Sequence, residues 1–148
     1  MKSKADNKKT FVVAEMACSH EGNISLAKKI IDSAAYAGSD VIQLQIWALK
    51  YMMTPSRKEY DLLKDLEFDK KQWADIVNYS RGLYPQMQIY VCAYEHSTIE
   101  FIDSLGVDGY KINSSDLSNY LVLEKIANTG KPMNLSVGAS SLNEIQYA

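Results

Sequence analysis

The sequence predicts an α/β fold, a partial (β/α)8 TIM barrel that contains about the first five β/α units. Short β-rich runs alternate with helical patterns, and one face of most strands carries polar side chains. Strands that are separated by helices pair in parallel through right-handed crossovers. The starts of three predicted strands, at positions 88, 109 and 132, lie 21 and 23 residues apart, which indicates a compact β/α repeat.

The predicted elements follow one another without a linker or a low-complexity segment. Apolar residues recur at helical spacing in the first helix, as at Ile24, Ala27 and Ile31, and Gly38 ends that helix. A longer polar stretch separates the second strand from the second predicted helix. The predicted strands are 11–17, 40–47, 88–94, 109–113 and 132–137, and the predicted helices are 23–37, 69–81, 97–105, 120–128 and 142 onward.

Alternation along the strands places polar side chains on one face, mostly near the carboxyl ends, and apolar side chains on the other. An open doubly wound sheet would bury those polar groups under helices without partners, whereas a barrel directs them to its ligand-binding mouth. A Gly-x-Gly-x-x-Gly turn is also missing after the first strand. The polar face carries Glu15, Gln43, Gln45, Tyr90, Cys92, Tyr94, Lys111, Asn113, Asn134 and Ser136.

Composition and charge exclude several classes of protein. A chain of 148 residues with 47% hydrophobic residues and a net charge of −2 fits a soluble globular domain, with neither nucleic acid nor a membrane as a partner. Two cysteines are too few for a disulfide framework, and no apolar run approaches the roughly 18 residues of a membrane span. We therefore expect a cytoplasmic protein.

The length of the chain conflicts with a complete barrel, which takes roughly 250 residues and eight units. We expect a polar N-terminal tail over residues 1–10, followed over 11–148 by the N-terminal portion of a truncated barrel domain. The isolated chain is then expected to lack enzymatic activity.

Three blocks resemble signatures of the sialic acid (N-acetylneuraminate) synthase family. Residues 14–22, Ala-Glu-Met-Ala-Cys-Ser-His-Glu-Gly, resemble the family's Ala-Glu-Ile-Gly-x-Asn-His-x-Gly. Residues 110–117, Tyr-Lys-Ile-Asn-Ser-Ser-Asp-Leu, resemble Phe-Lys-Ile-x-Ser-Gly-Asp-Leu. Residues 129–138, Thr-Gly-Lys-Pro-Met-Asn-Leu-Ser-Val-Gly, resemble Thr-Gly-Lys-Pro-x-x-Leu-Ser-Thr-Gly. The blocks occur in order and at the right spacings, so the chain is identified as a member of this family.

The resemblance implies the condensation of phosphoenolpyruvate with N-acetylmannosamine or a related amino-sugar to a nonulosonic acid, with release of phosphate. Legionaminate, pseudaminate and spore-coat polysaccharide synthases share these motifs. The resemblance also implies a homodimer and a divalent metal, Mn or Mg, whose ligands lie beyond residue 148. His20 and His96 do not match the family's metal positions, so no metal ligand is expected in this chain.

The same resemblance implies the roles of individual residues. Glu15 matches the acid/base, a role for which desolvation and nearby charge can tune a carboxylate. A lysine supplies a compact positive charge for phosphoenolpyruvate, and serine hydroxyls rotate to meet its oxygens. The implied phosphoenolpyruvate site comprises Lys111, Ser114, Ser136, Gln43 and Cys92, and the implied substrate pocket adds His20, Gln45 and Asp116.

Each assignment has a structural alternative. Lys111 and Glu15 would then pair only as buried counter-ions. Ser114, with the serine after it, would cap the following helix, and Asp116 would order its loop. His20 would be a hydrogen-bonded structural histidine. The tyrosines are interpreted as packing residues.

Two departures from the family pattern leave other functions open. The second strand has Ile-Gln-Leu-Gln over 42–45 where relatives usually have Val-Lys-Phe-Gln, which removes a cation. The third has Val-Cys-Ala-Tyr over 91–94 where relatives often have Ser-Thr-Pro-Phe, which replaces a hydroxyl by a thiol. They favour a second hypothesis, a degenerate, non-catalytic member that binds a phosphorylated ligand or assembles with a partner. A third hypothesis is a barrel that makes eight-carbon or seven-carbon ketoacids, which the start of the chain, residues 14–22, opposes.

Overall fold

Five parallel strands form half of a barrel in the computed structural model, which describes residues 10–148. The strands neighbour one another in chain order, as in a barrel, whereas an open doubly wound sheet reverses its order at a switch point. The predicted partial barrel is therefore confirmed. Of the predicted polar tail, residues 1–9 lie outside the described residues. The strands are β1 Val13–Glu15, β2 Val41–Ile46, β3 Gln88–Ala93, β4 Gly109–Ile112 and β5 Met133–Leu135.

Helices follow the strands, and several begin at polar capping residues. Asn23 accepts a hydrogen bond from the backbone N–H of Leu26, and Asp69 forms a reciprocal capping box with Gln72. Short 3-10 turns precede two of the helices, at His96–Thr98 and at Ser114–Asp116. The α-helices are α1 Ile24–Tyr36, α2 Leu49–Met52, α3 Tyr60–Leu66, α4 Lys70–Leu83, α5 Ile99–Ser104, α6 Tyr120–Ala127 and α7 Leu142–Tyr147.

The structure differs from the predicted elements in two respects. Strands β1 and β5 are shorter than predicted, with three residues each, because each is an edge strand with a single hydrogen-bonded neighbour. The polar stretch between β2 and α4 contains two short helices, α2 and α3, that the sequence pattern did not predict. Helix α3 buries no residue, so it lacks the apolar stripe that marks a helix in a sequence.

The core lies between the sheet and the helices on its outer face. The apolar residues of β2 and β3 alternate with the polar ones and are fully buried, and α1 and α4 cover them. Burial of such a side chain contributes about 1.5–3 kcal/mol. The fully buried core side chains include Ile31, Ile42, Leu44, Ile76, Ile89, Val91, Ile102, Tyr110, Ile112 and Ile126.

The strand register brings the predicted polar residues to one face. Gln45, Cys92, Lys111 and Asn134 are paired successively across β2, β3, β4 and β5. Because paired residues of parallel strands point to the same side of a sheet, their side chains form one row across four strands. The row lies two residues nearer the carboxyl ends of the strands than the pair of Glu15 and Gln43.

Candidate active site

A hydrogen-bonded chain of three side chains begins at the Glu15 carboxylate. Gln45 donates from Nε2 to Glu15 Oε1 at 2.7 Å, and the Tyr94 hydroxyl donates to Gln45 Oε1 at 2.8 Å. Trp47 packs edge-on against the Tyr94 ring, with the ring centroids 5.9 Å apart. Glu15 is exposed, whereas Gln45 and Tyr94 are half-buried. The carboxylate is therefore held on one oxygen and open to the mouth of the half-barrel.

The second charged group of the mouth is Lys111, on the inward face of β4. Its Nζ donates to Asn113 Oδ1 at 2.6 Å, between two side chains that alternation places on the same face. Lys111 is half-buried, and its hydrogen-bond partner differs from that of Glu15. The alternative in which Lys111 and Glu15 serve only as mutual counter-ions therefore does not match the structure.

The Cys92 thiol occupies the middle of this face and is fully buried. Burial raises the pKa of Cys92 to about 11, although Lys111, Asn113 and Tyr94 each act in the opposite direction. Burial is also the largest cause of a raised pKa at Tyr94. Gln43 is 5% exposed and pairs in register with Glu15 and with Tyr90. Both departures from the family pattern thus lie within the polar face itself.

The predicted residues of the last two blocks lie after β4 and at the end of β5. Ser114 is exposed in the 3-10 turn after β4, and Ser136 is half-buried, with its backbone N–H bonded to the Ile112 carbonyl at 3.0 Å. Asp116 accepts hydrogen bonds from Asn119 Nδ2 and Ser115 Oγ, both at 3.3 Å. Asp116 thus orders its loop, and the residue before α6 is Asn119, so neither serine of the turn caps that helix.

A cavity of about 400 Å³ lies beside this loop. Of the predicted site residues, only Ser114 lines it; the other lining residues come from the region around α6 and α7. Because the half-barrel is open on its inner side, the Glu15 and Lys111 side chains lie in an open mouth rather than in this cavity. We therefore place the candidate site on the polar face. The cavity is lined by Ser114, Leu117, Ser118, Tyr120, Ser140, Asn143, Glu144 and Tyr147.

His20 lies in the loop after β1 and is fully buried. Its ring stacks on Phe68, with centroids 4.5 Å apart, and meets Trp73 edge-on at 6.0 Å. Nδ1 accepts a hydrogen bond from the backbone N–H of Gly22 at 3.2 Å. Burial lowers the pKa of His20, so the ring is held neutral. With these contacts, His20 anchors the loop that follows Glu15.

The structure thus brings five predicted residues together on one face and places the others around it. Two residues that the sequence interpretation left out of the site, Tyr94 and Asn113, complete the hydrogen bonding there. Their alternation with Cys92 and Lys111 was the available signal, because it places both on the inward face. The five predicted residues on the face are Glu15, Gln43, Gln45, Cys92 and Lys111.

The described part of the chain offers no obvious metal centre. No group of three or more His, Cys, Asp or Glu side chains suited to hold a metal ion occurs among residues 10–148. Within the same residues, no helix has the length and apolar character needed to cross a bilayer.

Comparison with known proteins identifies the family. The NeuB family model matches residues 30–148. An uncharacterised protein of Methanocaldococcus jannaschii is 30% identical over 139 residues, which are 94% of this chain and 41% of that protein. The N,N'-diacetyllegionaminic acid synthase of Campylobacter jejuni is 26% identical, over 95% of this chain and 46% of that enzyme. The chain therefore spans a little less than half the length of these relatives.

Solved structures agree with this comparison. The N-acetylneuraminic acid synthetase of Leptospira borgpetersenii, solved with citrate, superposes with a TM-score of 0.87 at 28% identity, over 95% of this chain and 49% of that one. A spore coat polysaccharide biosynthesis protein E of Chromobacterium violaceum has a TM-score of 0.83 at 19% identity, which supports the fold alone. Since the family model covers most of the chain and the half-barrel matches the Leptospira enzyme, this chain belongs to the NeuB family, whose members include sialic, legionaminic and pseudaminic acid synthases.

Proposed function

We propose that this chain supplies the phosphoenolpyruvate site and the acid/base of a nonulosonic acid synthase. The whole protein would condense phosphoenolpyruvate with N-acetylmannosamine or a related amino-sugar and release phosphate. The observation that carries the proposal is the arrangement of Glu15 and Lys111 on one face, each hydrogen-bonded to a neutral amide rather than to the other. A cation and a carboxylate that do not neutralise each other remain available to a substrate.

Lys111 is the proposed anchor for the anionic substrate. Its ammonium already donates to Asn113, which fixes the direction of the side chain and leaves further N–H donors for phosphate or carboxylate oxygens. The hydroxyls of Ser114 and Ser136, which follow β4 and β5, would add neutral donors to the same oxygens. Cys92 is neutral at physiological pH because burial raises its pKa to about 11, so it would line the site without repelling an anion.

Glu15 is the proposed acid/base. In the condensation, the methylene carbon of phosphoenolpyruvate forms a bond to the aldehyde carbon of the open-chain sugar, and the aldehyde oxygen takes up a proton. Water adds to the adjacent carbon of the phosphoenolpyruvate unit, and the bond from that carbon to the phosphate oxygen breaks. Gln45 occupies Oε1 of Glu15, so Oε2 would exchange the proton with the sugar oxygen. His20 and Asp116, both held by internal contacts, would shape the pocket rather than react.

The divalent metal and the homodimer remain part of the proposal for the whole protein. Residues 10–148 offer no three-ligand cluster, so no step is assigned to a metal held by these residues. Apolar side chains at both edges of the sheet, Phe11 at 53% exposure and Met133 at 37%, would be covered by further structure or a second copy.

A non-catalytic family member is the second candidate function. It is favoured by the two departures within the polar face, Gln43 and Cys92, which both reduce the capacity to hold an anion. Such a protein would bind a phosphorylated ligand through Lys111 but would not need Glu15. The two candidates therefore differ in what removal of the Glu15 charge does.

Calorimetric titration with phosphoenolpyruvate tests the anchor. Lys111→Met should weaken binding by roughly 2–5 kcal/mol, the scale for truncating one partner of a desolvated charge pair. Lys125→Met is the matched control, because Lys125 pairs with Glu100 at 2.7 Å on the outer helices and should leave binding unchanged. Unchanged binding in Lys111→Met would remove this lysine from the site.

Glu15→Gln tests the acid/base in the whole protein. Phosphoenolpyruvate binding should persist, while turnover with N-acetylmannosamine should fall by about 100-fold or more, the usual scale for losing an acid/base. Glu100→Gln removes a carboxylate of the outer surface and should leave turnover unchanged. Binding without turnover in the unsubstituted protein would favour the non-catalytic candidate.

A further inference from the structure

The amide of Gln45 is hydrogen-bonded on both sides, to Glu15 and to Tyr94. Its nitrogen Nε2 donates to Glu15 Oε1 at 2.7 Å. The amide oxygen then faces away from Glu15 and needs a donor. The Tyr94 hydroxyl supplies it at 2.8 Å.

Tyr94 is itself fixed in place. The Trp47 ring packs against it edge-on, with an interplanar angle of 88°. The hydrogen bond that the geometry gives the Tyr94 hydroxyl is the one to Gln45 Oε1 at 2.8 Å.

We propose that Tyr94 is a positioning residue, whose hydroxyl locks the Gln45 amide with its N–H toward Glu15. This inference rests on the proposed function of Glu15 as the acid/base. The lock leaves a single carboxylate oxygen for the substrate and keeps the amide from turning its own oxygen toward the carboxylate. The phenol ring is dispensable for this role and the hydroxyl is not, so the role is separable from packing.

Tyr94→Phe is the test variant, because it retains the ring against Trp47 and removes only the hydroxyl. Tyr110→Phe is the matched control. Tyr110 is fully buried in β4, and its hydroxyl contacts Asp103 at 3.4 Å, outside this chain of hydrogen bonds. Both variants lose one phenolic oxygen, and only the first should affect Gln45.

The first readout is the side-chain amide of Gln45 in nitrogen–proton NMR spectra, with the signal assigned from its loss in Gln45→Met. In the unsubstituted chain we expect two separated proton signals, one shifted downfield by the bond to Glu15. In Tyr94→Phe the downfield shift should be lost, while in Tyr110→Phe it should remain. A downfield signal that persists in Tyr94→Phe would overturn the proposal, whatever the activity of the protein.

The second readout is turnover by the whole protein. Tyr94→Phe should lower kcat about three- to tenfold, the effect of one neutral hydrogen bond, with KM for phosphoenolpyruvate unchanged. Unchanged kcat in an active protein would overturn the positioning role in catalysis. If Tyr94→Phe loses the downfield signal but the unsubstituted whole protein shows no turnover, the lock is supported and the proposed function is contradicted. The two failures are therefore distinguishable.

Discussion

A β-carbon at Gly22 would overlap the backbone carbonyl oxygen of Asp65, so the loop after β1 and helix α3 touch through their backbones. Gly22 also has a φ of +70°, in the left-handed region that residues other than glycine rarely adopt. Its N–H donates to His20 Nδ1. The contact thus holds the segment that follows Glu15 against a helix that the sequence pattern did not predict.

Gly22→Ala should destabilise the fold more than Gly38→Ala. Gly38 has a similar φ of +77°, but a β-carbon there would meet nothing within 4 Å. The control substitution should cost about 1–2 kcal/mol for the left-handed backbone. At position 22 we expect roughly 1–3 kcal/mol more, because Asp65 must move. Urea unfolding of both variants measures the difference, and equal midpoints would show that the loop yields without cost.

The burial of His20 predicts a pH-dependent stability. Burial lowers the pKa of His20 below 6.5, so below that pH the unfolded chain binds a proton that the folded chain resists. The stabilising contribution is therefore complete above about pH 6.5 and is lost as the pH falls through the lowered pKa of the folded state. Between pH 7 and pH 5, the free energy of unfolding should fall less steeply in His20→Gln than in the unsubstituted chain.

The exposed His96 provides the control for this experiment. His96→Gln should follow the pH dependence of the unsubstituted chain, because the substitution leaves the buried ring in place. Parallel curves for His20→Gln and the unsubstituted chain would contradict a buried neutral imidazole.

The sequence predicted the half-barrel because the alternation of polar and apolar residues is a local property of each strand. Gln43 and Lys111 could be placed on the same face without knowledge of their neighbours, and the register confirms that placement. Helix α3 escaped prediction because it buries no residue and is held by backbone contact at Gly22. A contact between two backbones leaves no hydrophobic period in a sequence.

The sequence predicted that five residues of the candidate site share one face, but it did not predict how their side chains are connected. The ring contacts of His20 with Phe68 and Trp73 join residues about fifty positions apart, and the sequence left a substrate contact and a structural histidine equally open. Tyr94 was interpreted as packing, because nothing local distinguishes a buried ring from one whose hydroxyl is bonded to Gln45. Those connections depend on tertiary distances, which alternation along one strand does not contain.

The two thiols should differ in reactivity. Cys18 is half-buried and Cys92 is fully buried, and burial raises the pKa of both, to about 11 at Cys92. Because the thiolate is the nucleophile, less than about 0.1% of Cys92 is reactive at pH 7.5. Iodoacetamide should therefore label Cys18 first, and labelling of Cys92 should accelerate as the pH rises toward 11. Mass spectrometry of Cys18→Ser and Cys92→Ser separates the two rates, and fast labelling in Cys18→Ser would show that Cys92 is accessible.

Gln43→Lys should strengthen the binding of phosphoenolpyruvate. Position 43 is 5% exposed and pairs in register with Glu15, so a lysine there would direct a second cation into the mouth that Lys111 already occupies. One charge-assisted hydrogen bond is worth about 1.5–3 kcal/mol, which corresponds to tenfold or more in affinity. The gain should be larger at low salt, where charges are less screened. Without the ligand, the substitution should lower the melting temperature, because a partly desolvated charge is added.

Thermal melting with and without phosphoenolpyruvate separates the two effects of Gln43→Lys. Gln88→Lys is the control, because Gln88 is exposed at the opposite end of β3 and adds the same charge away from the mouth. We expect phosphoenolpyruvate to raise the melting temperature more in Gln43→Lys than in the unsubstituted chain, and Gln88→Lys to match the unsubstituted chain. If Gln43→Lys lowers the melting temperature and phosphoenolpyruvate does not restore it, the mouth is shaped for a different ligand. In that case Lys111, Ser114 and Ser136 do not bring the phosphoenolpyruvate anion within reach of the new cation.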